Sequence, residues 1–249
     1  MNMLLYTAND FVHENLLRIR GDQAEHLIKE REILSGAHIT VGELNGKISQ
    51  ATILEVGVAD LLIQVADDGY WPEPAFVNLI VALPRPQILK RVLQTAATMG
   101  VKRLAFISSA RGEKSYFSSK ILQPDILRYH LRLGLEQGVN TIEPIVSVHS
   151  SFQRFVGDEL KAIDAESKSK LVTSPQSEKE LSHLHLETIL GASDFITIAV
   201  GPEAGWEDPE VAAFCEHGYH CCCFGKRILR VDTAVCAVLA QIDLLRKLK

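Results

Sequence analysis

Three cations, Lys226, Arg227 and Arg230, crowd into the segment FGKRILRVDTAV at residues 224–235, between a glycine and an apolar, helix-like tail. A cationic helix entrance opposes the positive N-terminal end of the helix dipole, which prefers anions. An anionic partner other than the helix would resolve that conflict. Asp232, two residues beyond Arg230, can fix the direction of that guanidinium. It also stands where an N-cap belongs if the last helix starts at Thr233 and Ala234.

This segment is one of a pair. ITIAVGPEAGW (196–206) reads as a buried strand followed by Gly201, Pro202, Glu203, Ala204 and Gly205, and CCCFGKRILRVDTA reads as a second strand followed by Gly225. In parallel sheets, ligands sit outside the carboxyl ends of strands. Glycines there let backbone groups approach a flat ligand closely. Either loop alone does no more than turn the chain; the pair, followed by R-x-D-T-A, is more specific.

Other chemistries find little support. No G-x-G-x-x-G follows the first strand of the second half. Gly218 and Gly225 are too far apart for a phosphate loop, and Lys226 precedes Arg227 rather than Ser or Thr. Cys215, His217, His220 and Cys221, Cys222, Cys223 invite a zinc site. On a strand, however, neighbours point to opposite faces, and no second ligand pair stands at zinc spacing. Small hydrophobes are the better reading, and no metal is expected. Ser108 and Ser109 follow a strand without a G-x-S-x-G elbow.

The elements that must hold these loops fall into two groups. Residues 1–70 read as small and β-rich: AHITVGELNGKISQATILEV alternates around Asn45-Gly46, a hairpin signal, and GDQAEHLIKERE supplies a short helix. DDGYWPEP (67–74) reads as a linker. From residue 75 to 249, the short apolar runs FVNLIVALP, RLAFISS, SKLVTS, FITIAVG and YHCCCFG alternate with helical stretches such as PQILKRVLQTAATMG. That alternation predicts an α/β domain with a mainly parallel, doubly covered sheet.

Charge is unevenly spread. Residues 1–74 carry a net −7, while residues 75–132 hold ten Lys/Arg against two Asp/Glu, and residues 133–249 return to −6. So one-sided a block predicts a polyanion-facing patch, with Arg85, Lys114 and Arg128 as RNA contacts beside Lys226 and Arg227. Hydrophobic residues at 47% and charged residues at 23% match a soluble globular chain. No apolar run reaches membrane-spanning length and no signal peptide is expected. Five cysteines, an odd number, fit a reducing cytoplasm better than a disulfide framework.

The stretch VGPEAGW…E…GY…FGKRILRVDTAV resembles the signature of the RsmE-type 16S rRNA uridine-N3 methyltransferases of the SPOUT class, roughly G-P-E-G-G…E…G…L-G-x-R-I-L-R-x-E-T-A. The resemblance extends loosely over most of the chain, through GDQAEHLIKEREILSGAHITVGELNG and LEQG at 135–138. It implies a PUA-like, RNA-binding β-barrel domain at 1–70 and a trefoil-knotted SPOUT methyltransferase domain at 75–249. It also implies the cofactor S-adenosylmethionine (SAM), a homodimer, and 16S rRNA or the small ribosomal subunit as partner, with no membrane or DNA. Cofactor contacts are then expected from Thr173, Val200, Gly201, Glu203 and Gly205, and from Phe224, Gly225, Ile228, Leu229, Thr233 and Ala234.

Departures from the family pattern fall mostly on RNA-facing parts. Glu30-Arg31-Glu32 stands where Val-Leu-Arg is usual, Thr95–Gly100 replaces Lys-Ala-Thr-Glu-Leu-Gly, and Asn140 aligns near a usual arginine. In the cofactor loops Ala204 replaces a glycine and Asp232 a glutamate.

The implied chemistry accounts for the cations. Uridine N3 is a poor nucleophile until its proton leaves, and negative charge then spreads to the flanking carbonyl oxygens. A fixed guanidinium there contributes about 2–4 kcal/mol. The catalytic candidates are Arg230, stabilising that anion or anchoring the adjacent phosphate, and Asp232, orienting the arginine or taking the proton. The competing readings are a non-catalytic or retargeted RNA- or SAM-binding relative, and an unrelated α/β enzyme.

Overall fold

The computed structural model describes residues 2–178, 180–181 and 195–247, in two compact units. The last two residues of the expected terminal helix lie outside the described residues.

The first unit comprises Met1–Pro74 together with Arg132–Glu143. Its strands are β1 (Leu4–Tyr6), β2 (Phe11–His13), β3 (Leu16–Arg20), β4 (His38–Glu43), β5 (Ile48–Val56) and β6 (Asp60–Val65), in the order β1-β4-β5-β6-β3-β2. All pairs are antiparallel except β1 with β4. The hairpin β4–β5 turns at Asn45, whose φ of 59° suits asparagine in the left-handed region. Alternate residues Leu17, Ile19, Val41, Ile53, Leu61 and Ile63 form the core, closed by Ala24 and Leu27 of α1 (Asp22–Lys29). The expected linker 67–74 is partly tied down: Tyr70 and Ile48 exchange two backbone hydrogen bonds of 2.8 and 2.9 Å. Residues 132–143 join the unit through Met3 N to Glu136 O at 3.1 Å and Asn45 N to Thr141 O at 2.8 Å.

The second unit, Ala75–Leu131 and Pro144–Lys249, holds six parallel strands. They are β7 (Val77–Ala82), β8 (Val101–Ile107), β9 (Ile145–His149), β10 (Ser167–Thr173), β11 (Phe195–Val200) and β12 (His220–Cys222), ordered β12-β10-β11-β7-β8-β9. All six residues of β7 are buried, as a strand covered on both faces requires. The helix α2 (Pro86–Thr98) opens with proline at its first position and closes on Gly100, whose φ of 69° ends the helix at low cost. A second helix, α3 (Pro124–Gly138), starts in this unit, and its residues from Arg132 onward cluster with the first. Two short helices, α4 (Phe152–Arg154) and α5 (Leu160–Asp164), flank a π-helical turn. After β11 come α6 (Asp208–Glu216) and α7 (Val231–Lys247).

One sheet face packs Ile80, Ala105, Ile107 and Ala199 against Phe155, Leu160, Phe214 and Tyr219 from the π turn, α5, α6 and the approach to β12. The helices α2 and α7 contact each other, and they touch β8 and β11 respectively. This is a mixed α/β fold with a parallel sheet. The strand β9 had no counterpart in the sequence reading; it occupies the sheet edge with Ile145 and Val148 exposed. Among the described residues no helix is long and apolar enough to cross a membrane.

Candidate active site at the strand ends

Strands β12, β10 and β11 are adjacent and parallel, so their carboxyl ends open on one side of the sheet. The strand ends are tied together there. Thr173 Oγ1 donates to Ala199 O at 3.1 Å, and Ser174 N donates to Cys222 O at 2.9 Å. The three following loops line an open cleft, placed where parallel sheets bind their ligands.

Ten of the eleven expected cofactor residues line it. Thr173 comes from the first loop and Val200, Gly201, Glu203 and Gly205 from the second. Phe224, Gly225, Ile228, Leu229 and Ala234 come from the third loop and the helix after it. Thr233 does not: it is exposed on the first turn of α7. Sequence reasoning missed Ser174, Pro175, Pro202, Cys223 and Val231. Ser174 and Pro175 follow β10 as the glycine loops follow β11 and β12, so the strand-end rule could have found them. Arg227, assigned to RNA, also lines the cleft.

The glycines are needed for conformation and space. Gly205 (φ 75°) and Gly225 (φ 135°) adopt angles that L side chains rarely take. A Cβ on Gly201 would sit 3.1 Å from ring atoms of Trp206, an indole that is 4% exposed and packed edge-on to Phe214 at 5.4 Å. Ile228, 82% exposed, stands at the rim as a large aliphatic side chain for a ligand to cover.

Beside the cleft, Asp232 is held by two arginines. Its side chain is nine-tenths buried, and Oδ2 accepts from Arg91 Nη1 at 3.1 Å and from Arg230 Nη2 at 3.5 Å. Its Oδ1 is buried with no hydrogen-bond partner among the described residues. The N-cap expectation for Asp232 needs correction. Helix α7 begins at Val231, Ala234 N donates to Arg230 O at 2.8 Å, and Asp232 lies inside the first turn. There its charge favours the helix dipole that Arg230 opposes. Neither Arg230 nor Asp232 lines the cleft itself, but Val231 between them does. Arg230 is 66% exposed beside that wall.

The expected RNA residues are more scattered. Arg85, at the start of α2, lies 3.8 Å from Glu203 of the cleft, and Lys226 and Arg227 are exposed on the third loop. Lys114 sits on an exposed 3₁₀ turn, and Arg128 on α3 faces Asp125 at 3.9 Å. Of the other cations in the block, Arg91 and Lys102 bind Asp232 and Glu166. The cysteine run packs as small hydrophobes: Cys222 and Cys223 are buried, and burial beside Cys221 and Cys223 pushes the Cys222 thiol up to about 12. Among the described residues no three His, Cys, Asp or Glu side chains converge on a metal position.

Known proteins share this architecture. The chain is 26% identical to the ribosomal RNA small subunit methyltransferase E of Treponema pallidum, over 97% of its own length and 90% of that protein's. It is equally similar, at 26%, to ribosomal RNA small subunit methyltransferase E 1 of Borreliella burgdorferi, with 95% of both chains covered. Among solved structures, a ribosomal RNA small subunit methyltransferase E from Neisseria gonorrhoeae bound to S-adenosyl methionine superposes with a TM-score of 0.74 at 20% identity, over 98% of each chain. A putative methyltransferase of Legionella pneumophila, in complex with SAM, gives 0.75 at 19% identity, over 98% of this chain and 97% of that one. The family model described as RNA methyltransferase domain matches residues 72–243. That span runs from just before β7 into α7 and takes in the whole parallel sheet with all three cleft loops, so the chain belongs to the RNA methyltransferase domain family.

Proposed function

We propose that this protein is a SAM-dependent methyltransferase of small-subunit ribosomal RNA, acting on N3 of a uridine in 16S rRNA. The observation that carries the reading is the cleft at the ends of β12, β10 and β11, with a paired arginine and aspartate at its wall. The residues fit SAM. Val200, Ile228 and Leu229 offer apolar walls to an adenine, and at Gly205 and Gly225 the space that a Cβ would fill is open. The names of the Treponema and Borreliella relatives support the rRNA substrate.

SAM supplies an electrophilic methyl group on a sulfonium, so the protein has only to align the nucleophile and exclude water. Arg230 would sit beside the uracil ring and stabilise the negative charge that spreads to its carbonyl oxygens once the N3 proton leaves. Asp232 orients that guanidinium through Oδ2, and Arg91 holds Asp232 from α2.

The finer architecture belongs to the same reading: residues 1–70 a PUA-like RNA-binding domain, residues 75–249 a knotted SPOUT domain working as a cytoplasmic homodimer. The resemblance of the cofactor loops to the family signature is what supports the knot; after β12 at the sheet edge, residues 223–225 and 227–229 line the same cleft as the loops after β10 and β11, and α7 then packs against α2. Sedimentation at twice the chain mass of 27.6 kDa checks the dimer.

The deciding experiment incubates the protein and isotopically labelled SAM with small subunits from cells lacking it, then maps modified nucleosides by mass spectrometry. One new 3-methyluridine in 16S rRNA is expected. Label on another base, or none on any RNA, refutes the assignment.

A further inference from the structure

The loop after β8 carries an arginine that charge pattern alone would give to RNA. Arg111 lies in the basic block 75–132, yet its contacts are with the cleft. Its Nη1 donates to Ala204 O at 2.8 Å, and its Nε lies 3.7 Å from Glu207 Oε1. Ala204 is the single residue between Glu203 and Gly205, both of which line the cleft. The chain turns there, with Gly205 N donating to Pro202 O at 2.8 Å.

The base of the arginine is fixed too. Ala110 N donates to Glu210 Oε1 at 2.8 Å, and the other oxygen of this buried carboxylate accepts from Glu207 N at 2.8 Å. Gly112 closes the turn so tightly that a Cβ would lie 2.7 Å from Ser109 Oγ. The loop after β8 is therefore keyed to the β11–α6 connection at Ala204 and Glu207, and to the first turn of α6 at Glu210.

We infer that Arg111 is a positioning residue for the cofactor loop Gly201–Gly205, setting SAM affinity, and is not an RNA contact. The inference rests on the SAM reading given above. A hydrogen bond from a cation to a carbonyl is about twice as strong as a neutral one. The planar fork serves Ala204 and Glu207 at once, which an ammonium on a flexible stem cannot do. Without that clamp the loop is free to sample other conformations, and cofactor binding has to order it.

Calorimetry with SAM on the full chain, beside filter binding of a 16S rRNA transcript across a salt series, tests this. Arg111→Lys and Arg111→Ala should each weaken SAM binding about tenfold. KM for SAM should rise while kcat at saturating SAM holds. Affinity for the transcript and its salt slope should match the parent. Glu207→Gln, which keeps the side-chain shape and removes the ion pair, should weaken SAM binding by a smaller factor. If Arg111→Ala melts well below the parent, the lysine and glutamine variants carry the test. Parental SAM affinity in Arg111→Lys overturns the inference, as does a salt slope lower by about one in that variant. A parent protein that binds no SAM overturns instead the methyltransferase reading on which it rests.

Discussion

Arg230 and Arg91 share one carboxylate oxygen, yet their surroundings give them different work. Arg91 reaches Asp232 from α2, whereas Arg230 directly precedes Val231 of the cleft wall. Replacing Arg230 with alanine should leave SAM affinity and melting temperature near parental values. Methyl transfer should fall by about two to three powers of ten, the loss expected for one preorganised charge donor. Arg230→Lys should recover little if the contact is bidentate. Asp232→Asn should cost less than Arg230→Ala if the carboxylate only orients, and nearly everything, with a changed pH profile, if it takes the N3 proton. Single-turnover kinetics on saturating RNA separates these outcomes. At Gly225 the argument is conformational. A φ of 135° charges any side chain with strain of about 1–3 kcal/mol, which the loop can relieve only by moving. Gly225→Ala should therefore lose SAM binding in calorimetry while its circular dichroism spectrum is preserved.

Among the elements, α3 carries the clearest pH signature. Its residue Glu136 clusters with the first unit, where Oε1 accepts from Gln23 Nε2 at 2.6 Å. Burial raises its carboxyl above the usual carboxylate range, against the opposing pull of the Gln23 and Leu5 hydrogen bonds. A raised folded-state value means that the protonated group favours folding. That contribution is complete below the unfolded value and is lost as pH rises through the folded one. At neutral pH the buried carboxylate is a net cost, and Glu136→Gln keeps the acceptor without the charge. Thermal melts should show the variant more stable than the parent at pH 8, with the gap closing as pH falls below the ordinary carboxylate range. Local sequence pattern made several elements legible. The hairpin at Asn45 was readable because alternation and turn chemistry agree, and α2 because Pro86 and Gly100 mark its ends. The start of α7 was misplaced because the helix already runs from Ala234 N to Arg230 O, and the carboxylate of Asp232 turns instead to Arg91, 141 residues away in sequence. Strand β9 was missed because an edge strand with both exposed and half-buried residues lacks the continuous apolar run of its neighbours.

For the whole molecule, the uneven charge distribution has to be divided by what each cation touches. Arg91, Lys102 and Arg111 have partners within the second unit, whereas Lys114 is exposed, and Arg128 is exposed with a distant, solvated carboxylate as its ion-pair partner among the described residues. Ion pairs of that last kind contribute at most about 1 kcal/mol and yield readily to a phosphate. Charge reversal at Lys114 or Arg128 should weaken binding of a 16S rRNA transcript and lower its salt slope by about one per lost phosphate contact. An effect confined to substitutions in residues 1–74 would instead place the RNA on the first unit. The cleft was largely legible because two of its strands end in glycine loops whose sequence resembles a family signature, while the loop after β10 lacks a glycine and was read only as far as Thr173. The positioning arginines were not, since charge composition cannot tell a guanidinium facing a phosphate from one facing a carbonyl 93 residues away.

Trp206 has an optical consequence. The chain contains two tryptophans. Trp71 is 61% exposed, while Trp206 is nearly sealed, with Phe152 and Phe214 on its inner side and the Gly201 backbone close by. A Trp71→Phe protein would thus emit from a single indole in an apolar setting, directly behind the loop that SAM would touch. Its emission wavelength and quenching by acrylamide would report any shift of Gly201 in real time, without label or radioactivity, giving the association and release rates of the cofactor from the molecule's own light.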